Sequence, residues 1–232
     1  MDYFLTLRPE QKANIHIIID RMSHRGITNL YAMAAVLAVV SKESGFVPHS
    51  ESSYAHTSNA RIRKVFTKRV AGYSEEALTA LKSNDVNFFN AVYGLAKFGQ
   101  TSAEGYKFRG RGFNQITFKE NYKRLGTKIK VDLVANPDRL NEPAIAADCL
   151  LQYFIDGFAT APKDDLALYN CTGINDFKNY VDSVHAVYHA NAGWGHSKAE
   201  LDADPTGGRK LAESRVKGFL DMILEMNNNK IV

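Results

Sequence analysis

The chain has 232 residues and a formal net charge of +4. Hydrophobic residues make up 45% of it and charged residues 23%, a balance that suits one globular domain and excludes a disordered chain. It contains no apolar run of about 18 residues, so we expect no membrane span. The N-terminus lacks the basic start and apolar core of a secretory signal, which predicts synthesis in the cytoplasm.

Cysteine content and charge distribution bear on redox state and partners. Cys149 and Cys171 are too few for a disulfide framework, and we expect free thiols in a protein made in the cytoplasm.

Residues 107–130 hold eight Lys or Arg residues and one acid, Glu120. Such a segment suits an anionic partner, either a nucleic acid or a polymer of a bacterial surface, or is a solvated charged face. The sequence shows no nucleic-acid-binding motif, so we expect no nucleic-acid partner.

The first half of the chain has a helical hydrophobic pattern. A first helix, which ends at Gly26, has an apolar face made by Ile15, Ile18, Ile19 and Met22. A second helix over residues 30–40 contains the run MAAVLAVV, which predicts a buried central helix. A polar loop follows over residues 45–59. Three shorter helices are then expected, over residues 60–66, 75–81 and 86–93.

The second half continues this pattern after a glycine-rich stretch. Residues 99–112 hold four glycines and predict a loop or a short strand. Thr117 and Glu120 have capping-box spacing, so we expect Thr117 to cap a helix that ends at Gly126. Further helices are expected from Asn141-Glu-Pro143 onward and over residues 174–188 and 210–226. The predicted fold class is mainly α, with at most a small β element in the glycine-rich middle.

Two glutamates have settings that suit acid–base hydrolysis of a glycosidic bond. One carboxyl group must protonate the leaving oxygen, and a second must activate water or act as nucleophile. The acid keeps its proton best against apolar surface, and Glu43 directly follows the run VLAVVSK. Glu51 lies eight residues further on, in the polar loop segment PHSESSYAH. Taken alone, a glutamate at either position is more often a solvated surface residue than a catalyst.

Five segments occur in an order that resembles the family 19 glycoside hydrolases, especially the short phage endolysins. They are AAVLAVVSKESGF, SESSYAHTSNARIRKVFTKR, FFNAVYG, GYKFRGRGFNQITFKENYKRLG and DLVANPDRL. The similarity covers residues 30–138, with a weaker similarity up to Arg215, and residues 108–117 are its most specific part. It implies a lysozyme-like, mainly α-helical fold for residues 1–232, forming a single catalytic domain with two lobes around a substrate cleft.

The resemblance also implies roles at matching positions. Glu43 corresponds to the general acid, Glu51 to the general base, and Thr117 to the hydroxyl residue that helps to hold the attacking water. Family members invert the anomeric configuration, which needs carboxyl groups on the order of 6.5–9.5 Å apart. The implied substrate-binding residues are Tyr54 in the Glu-x-x-Tyr motif of the base, Tyr106 and Gln115 in the sugar cleft, Asn191, and Arg215 near the acid.

Some positions depart from the family pattern or have two interpretations. Lys42 stands where the family often has histidine, and we expect it to face away from Glu43, since consecutive helix residues do not share a face. Phe118 and Ala192 replace family glycines.

Trp194 is predicted either to stack on a sugar ring or to pack in the core. His185 and His189 have the spacing to share a metal ion, but no third ligand is evident, so we expect neither metal nor cofactor.

The resemblance implies a monomeric hydrolase of a bacteriophage or related element that cuts peptidoglycan glycan strands between amino sugars. A holin or a virion would have to deliver it to the cell wall, because no signal is recognisable. Two alternatives stay open. One is a chitinase of the same fold, although the short spacing from Glu43 to Glu51 is more similar to the phage members. The other is a non-catalytic wall-binding or phage structural protein, against which the presence of both acids and Thr117 counts.

Overall fold

A computed structural model of the protein describes residues 3–194, 197–204 and 207–228. These residues are mainly helical, which confirms the predicted class. None of the described helices is long and apolar enough to cross a membrane. The helices are α1 (Pro9–His24), α2 (Leu30–Glu43), α3 (Asn59–Phe66), α4 (Glu75–Lys82), α5 (Asp85–Tyr93), α6 (Lys119–Ile129), α7 (Pro143–Ala159), α8 (Lys163–Ala167), α9 (Tyr180–Ala192), α10 (Lys198–Ala203) and α11 (Gly208–Asn228).

Helix α2 is the centre of the fold, as its apolar run predicted. The Asn29 side chain accepts a hydrogen bond from the backbone N–H of Ala32 and so caps its first turn. Every residue from 32 to 41 is buried, and α1, α9 and α11 pack around it. Each large apolar side chain buried in this way contributes roughly 1.5–3 kcal/mol. The helix extends beyond its predicted end and has Glu43 as its last residue.

The buried side chains form three clusters. The main core surrounds α2 and includes Phe46 and Phe113. A second cluster lies between α6 and α7 and includes Phe108. A third cluster joins α3, α4 and α5. Because Phe108 and Phe113 belong to different clusters, the glycine-rich segment between them is anchored at both ends.

The β structure of the described residues is one isolated antiparallel bridge between Arg111 and Ile116. Their backbone N–H and C=O groups exchange hydrogen bonds of 3.1 and 2.8 Å. The bridge closes a tight loop over residues 111–116, and this agrees with the small β element expected in the glycine-rich middle.

The predicted capping role of Thr117 is wrong. Helix α6 begins at Lys119, its N-cap is Phe118, and no side chain of the N-cap residue bonds to the first turn. The buried Gln100 supplies the missing acceptor, since its Oε1 lies 3.0 Å from the backbone nitrogen of Lys119. The Thr117 hydroxyl instead donates to the carbonyl oxygen of Gln115 at 3.0 Å. An acceptor from a distant loop therefore replaces the local one that the spacing suggested.

Two other boundaries differ from the sequence pattern. Gly126 lies inside α6, which continues to Ile129. The glycine instead permits a close approach of the chain that follows the helix, since a Cβ there would come within 2.6 Å of the Val131 carbonyl oxygen. Helix α9 begins at Tyr180, six residues after the predicted start at Ile174. The Asn179 side chain accepts from the backbone N–H of Asp182 and sets this later start.

Candidate active site

The loop that carries Glu51 spans two hydrophobic clusters. Near its start, Phe46 is fully buried in the main core. Further along, the Tyr54 ring packs against Phe66 and Phe88, with ring centroids 5.1 and 5.2 Å apart. Between these anchors, the backbone N–H of Glu51 donates to the Gly110 carbonyl oxygen at 2.8 Å. The loop is therefore tied to the glycine-rich segment at the position of the candidate base.

Three donors hold the Glu51 carboxylate. The hydroxyls of Tyr54 and Tyr93 donate to Oε1 at 3.0 and 2.9 Å, and the Gly110 N–H lies 3.2 Å from Oε2. These hydrogen bonds fix the orientation of the carboxylate, which a positioned general base requires.

The two tyrosines remain donors throughout the neutral range. Burial raises the pKa of both Tyr54 and Tyr93 above the ordinary tyrosine value, and the negative charge of Glu51 raises it further. Both hydroxyls therefore keep their protons while Glu51 is ionised.

The glycine-rich loop needs Gly110 at its contact with Glu51. A Cβ at this position would lie 2.7 Å from Gln115 Oε1 and 3.2 Å from Glu51 Oε2. Gln115 has a φ of +54° and donates from Nε2 to the His49 carbonyl oxygen at 3.0 Å. Gln115 thus supports the loop that carries the candidate base, in addition to any contact with a sugar.

Arg111, the second arginine of the glycine-rich motif, is a structural residue. Its side chain is almost completely buried, with an exposed fraction of 2%. It pairs with Asp138 at 2.8 Å and donates to the Lys107 carbonyl oxygen at 2.8 Å. A buried charge is tolerated only when it is paired and hydrogen-bonded in this way.

Lys42 contacts Glu43, so the prediction that it faces away is wrong. Its ammonium lies 2.8 Å from Glu43 Oε1, and both side chains are partly buried. Glu43 is the last residue of α2, and the long lysine stem reaches around the helix end despite the adjacent position. The ammonium also lies 5.7 Å from the centroid of the Tyr188 ring.

The charge of Lys42 persists beyond the neutral range. Burial alone would lower its pKa, but the hydrogen bond and negative charge of Glu43 outweigh burial and raise it. Asp204 and Tyr188 act in the same direction.

Arg215 lies against the end of α2 but holds a residue other than the candidate acid. Its Nη1 atom lies 3.2 Å from the carbonyl oxygen and 3.0 Å from the hydroxyl of Ser41. The guanidinium stacks on Tyr3, 3.8 Å from its ring centroid. A cation at this position complements the negative end of the helix dipole. The cation in contact with Glu43 is Lys42.

The other predicted sugar-binding residues have mixed environments. Tyr106 is partly buried, and the Arg109 guanidinium covers one face of its ring at 4.1 Å. Asn191 lies in the last turn of α9 and is also partly buried. Thr117 bonds to the Gln115 carbonyl oxygen, and the Gln115 side chain bonds to the loop of Glu51. The structure therefore bonds Tyr54 directly to Glu51 and joins Gln115 to the same loop through the His49 carbonyl oxygen.

Trp194 has the environment of a packing residue. Its indole N–H donates to the Gly157 carbonyl oxygen at 2.8 Å. Its ring centroid lies 5.3 Å from that of Phe158 and 4.7 Å from that of His189. These contacts favour the core alternative over stacking on a sugar.

The histidine pair on α9 does not converge on one point. His185 Nε2 lies 3.1 Å from a Glu213 carboxylate oxygen, whereas His189 Nδ1 lies 3.0 Å from the Tyr169 hydroxyl. Across the described ranges, no three His, Cys, Asp or Glu side chains are grouped as metal ligands. Cys149 and Cys171 are both free and buried.

The basic segment over residues 107–130 is partly neutralised by acids from elsewhere in the chain. Four of its eight cations form ion pairs. These pairs are Arg111 with Asp138, Lys119 with Glu104, and both Arg124 and Lys128 with Asp156. The segment is therefore not one continuous basic face, and its charge supports anion binding less than the sequence suggested.

Sequence reasoning missed Tyr93 as a functional residue. It ends α5 and reaches Glu51 across 42 positions of the chain. The available signal was its place in FFNAVYG, one of the five segments that carry the family resemblance.

A scan against protein-family models and a search of curated proteins returned no match. The resemblance to a hydrolase family therefore rests on the motifs themselves and contributes to a proposal.

Proposed function

We propose that the protein is a glycoside hydrolase that cuts the glycan strands of bacterial peptidoglycan, on a lysozyme-like fold of the family 19 type. Glu43 is the general acid, Glu51 the general base, and Thr117 helps to hold the attacking water. The observation that carries the proposal is the Glu51 carboxylate, whose orientation three hydrogen-bond donors fix. The ordered motifs from residue 30 to residue 138 support the choice of reaction.

In the proposed reaction, water attacks the anomeric carbon while Glu51 takes one of its protons. The bond to the leaving oxygen breaks as Glu43 delivers a proton to that oxygen. Glu43 ends the step ionised and Glu51 ends it protonated, and exchange with solvent restores both. The mechanism inverts the anomeric carbon, and the predicted carboxyl separation is on the order of 6.5–9.5 Å.

The acid role requires Lys42 to leave Glu43 when substrate binds, because the ammonium occupies Oε1, 2.8 Å away, and the carboxyl group must instead contact the leaving oxygen. The flexible lysine stem permits this movement without a change in α2. In the proposed function the enzyme is a monomer that reaches the cell wall through a holin or in a virion.

The direct test is incubation of the folded protein with purified peptidoglycan and, separately, with chitin. Mass spectrometry of the new reducing ends identifies the bond that is cut, and proton NMR of the first product reports its anomeric form. We expect cleavage of peptidoglycan with the α anomer formed first. If only chitin is cleaved, the substrate is chitin and not peptidoglycan. If the β anomer forms first, the enzyme does not invert, and the roles assigned to Glu43 and Glu51 are wrong. No cleavage of either polymer would refute the proposed function.

A further inference from the structure

Phe118 is held in a backbone conformation that favours glycine. Its φ is +76°, in the left-handed region that side chains with a Cβ rarely adopt. The backbone is fixed there by a 2.9 Å hydrogen bond from its N–H to the Phe108 carbonyl oxygen and by its position as N-cap of α6. Such strain persists only where the surroundings stabilise it, and it concentrates at functional sites.

The Phe118 side chain belongs to a partly exposed group of aromatic rings. Its centroid lies 4.0 Å from that of Phe98, in a stacked arrangement, and 5.6 Å from that of Tyr93, edge to face. All three side chains retain some exposure to solvent. We name Tyr93, Phe98 and Phe118 the aromatic platform.

Two exposed cations lie against the aromatic platform. The Arg69 guanidinium is 5.6 Å from the centroid of Tyr93 and 5.8 Å from that of Phe118. The Lys97 ammonium is 4.8 Å from the centroid of Phe98. Within residues 3–194, neither cation has an acidic side chain as a salt-bridge partner. Glu104, an acid seven residues after Lys97 in the chain, is already paired with Lys119.

The aromatic platform adjoins the candidate active site. Tyr93 belongs to the platform and also donates its hydroxyl to Glu51 at 2.9 Å. Phe118 directly follows Thr117 in the chain. A glycan whose scissile bond reaches Glu51 would therefore pass beside the platform.

We propose that the aromatic platform, with Arg69 and Lys97, binds a sugar unit of the glycan whose substituents carry carboxylates. The solvent-exposed parts of the three rings offer apolar surface to a pyranose, and the two cations that lie over the rings attract the carboxylates. In peptidoglycan these carboxylates come either from the lactyl ether of the muramyl unit or from the attached peptide, whereas chitin has none. The inference rests on the proposed function and adds its selectivity for an acidic glycan.

The test measures binding in the Glu43→Gln background, where substrate is not consumed. Calorimetry at low salt compares three tetrasaccharides: a chitin fragment, a peptide-free peptidoglycan fragment, and one that carries peptides. We expect the acidic fragments to bind about three- to tenfold more tightly than the neutral one. The double variant Arg69→Gln/Lys97→Gln should bind the acidic and neutral fragments with equal affinity. The matched control Lys163→Gln removes an exposed cation on α8 and should keep the preference for the acidic fragments.

Phe118→Gly tests the aromatic surface. Glycine adopts the φ of this position without strain, so we expect circular dichroism to show an intact fold while all three fragments bind more weakly. If the peptide-free acidic fragment binds most tightly, the contact is with the lactyl carboxylate. If only the peptide-bearing fragment is preferred, the contact is with the peptide.

If the Glu43→Gln protein without further substitutions bound all three fragments equally, the inference would be overturned. Cleavage by wild type, and so the proposed function, would be unaffected.

Discussion

The Tyr93 hydroxyl lies 2.9 Å from Oε1 of Glu51 and joins the end of α5 to the loop of the candidate base. With Tyr54 on the same oxygen and the Gly110 N–H on the other, the carboxylate has a fixed orientation. This contact leads to the first prediction.

Tyr93→Phe removes one donor and keeps the ring. We expect kcat/KM for peptidoglycan to fall about 10- to 150-fold, since loss of a hydrogen bond to a charged group costs about 1.5–3 kcal/mol. The control is Tyr73→Phe, a partly buried tyrosine of the same cluster, which should keep the wild-type value. A kcat/KM within about twofold of wild type in Tyr93→Phe would show that Tyr93 only packs.

Glu43→Gln keeps the size of the side chain but cannot donate the proton. We expect turnover to fall by about 10²–10⁴-fold with an unchanged melting temperature. Glu10→Gln is the control, because Glu10 is exposed in the first turn of α1. Turnover within about tenfold of wild type in a folded variant would exclude Glu43 as the acid.

Lys42→Met removes the ammonium beside Glu43 and keeps the apolar stem. Because the proposed acid role requires the ammonium to leave Glu43, its loss removes the cost of opening this ion pair, about 0.2–1 kcal/mol, and kcat/KM for peptidoglycan should rise by up to about fivefold. Lys217→Met, at an exposed pair with Asp221 on α11, is the control and should keep the wild-type value. An equal change of kcat/KM in both variants would contradict a direct effect on Glu43.

Thr117→Ala should lower activity more than stability. The hydroxyl caps no helix and makes one hydrogen bond to Gln115, so we expect a loss of about 0.5–1.5 kcal/mol of unfolding free energy. Thr117→Ser keeps the hydroxyl and should retain most of the turnover. Urea titration and reducing-end assays separate the two effects. If both variants turn over like wild type, Thr117 does not hold the water.

The Cys149 thiol should be inert in the folded protein. Burial, with the nearby negative charge of Asp148, raises its pKa to about 12. A thiol whose pKa is higher in the folded protein stabilises the fold fully at pH values below its pKa in the unfolded chain, about 8.5. This stability is lost as the pH rises toward the pKa of the folded protein. Between pH 8 and pH about 10.5, the free energy of unfolding of wild type should fall by about 2–3 kcal/mol more than that of Cys149→Ala. Equal losses in urea titrations, or rapid thiol labelling at pH 8, would contradict this.

Local pattern was sufficient to predict most of the helices. The apolar face of α1, the buried run of α2 and the polar loop before α3 follow from periodicity and composition, because these signals lie within a few turns of chain. The positions of Glu43 at the end of α2 and Glu51 in that loop follow from the same pattern. The spacing of Thr117 was misleading, since a distant side chain, Gln100, fills the capping position.

Only the tertiary structure decided which side chains surround the two glutamates. Tyr93 and Gly110 reach Glu51 from 42 and 59 positions away, and no local period encodes such contacts. The same holds for Arg69, which follows α3 in the chain and lies over Phe118, the N-cap residue of α6. Sequence by itself determined the helices and the order of the motifs. Packing of the three clusters determined the hydrogen bonds of Glu51, because side-chain contacts depend on distances that folding alone sets.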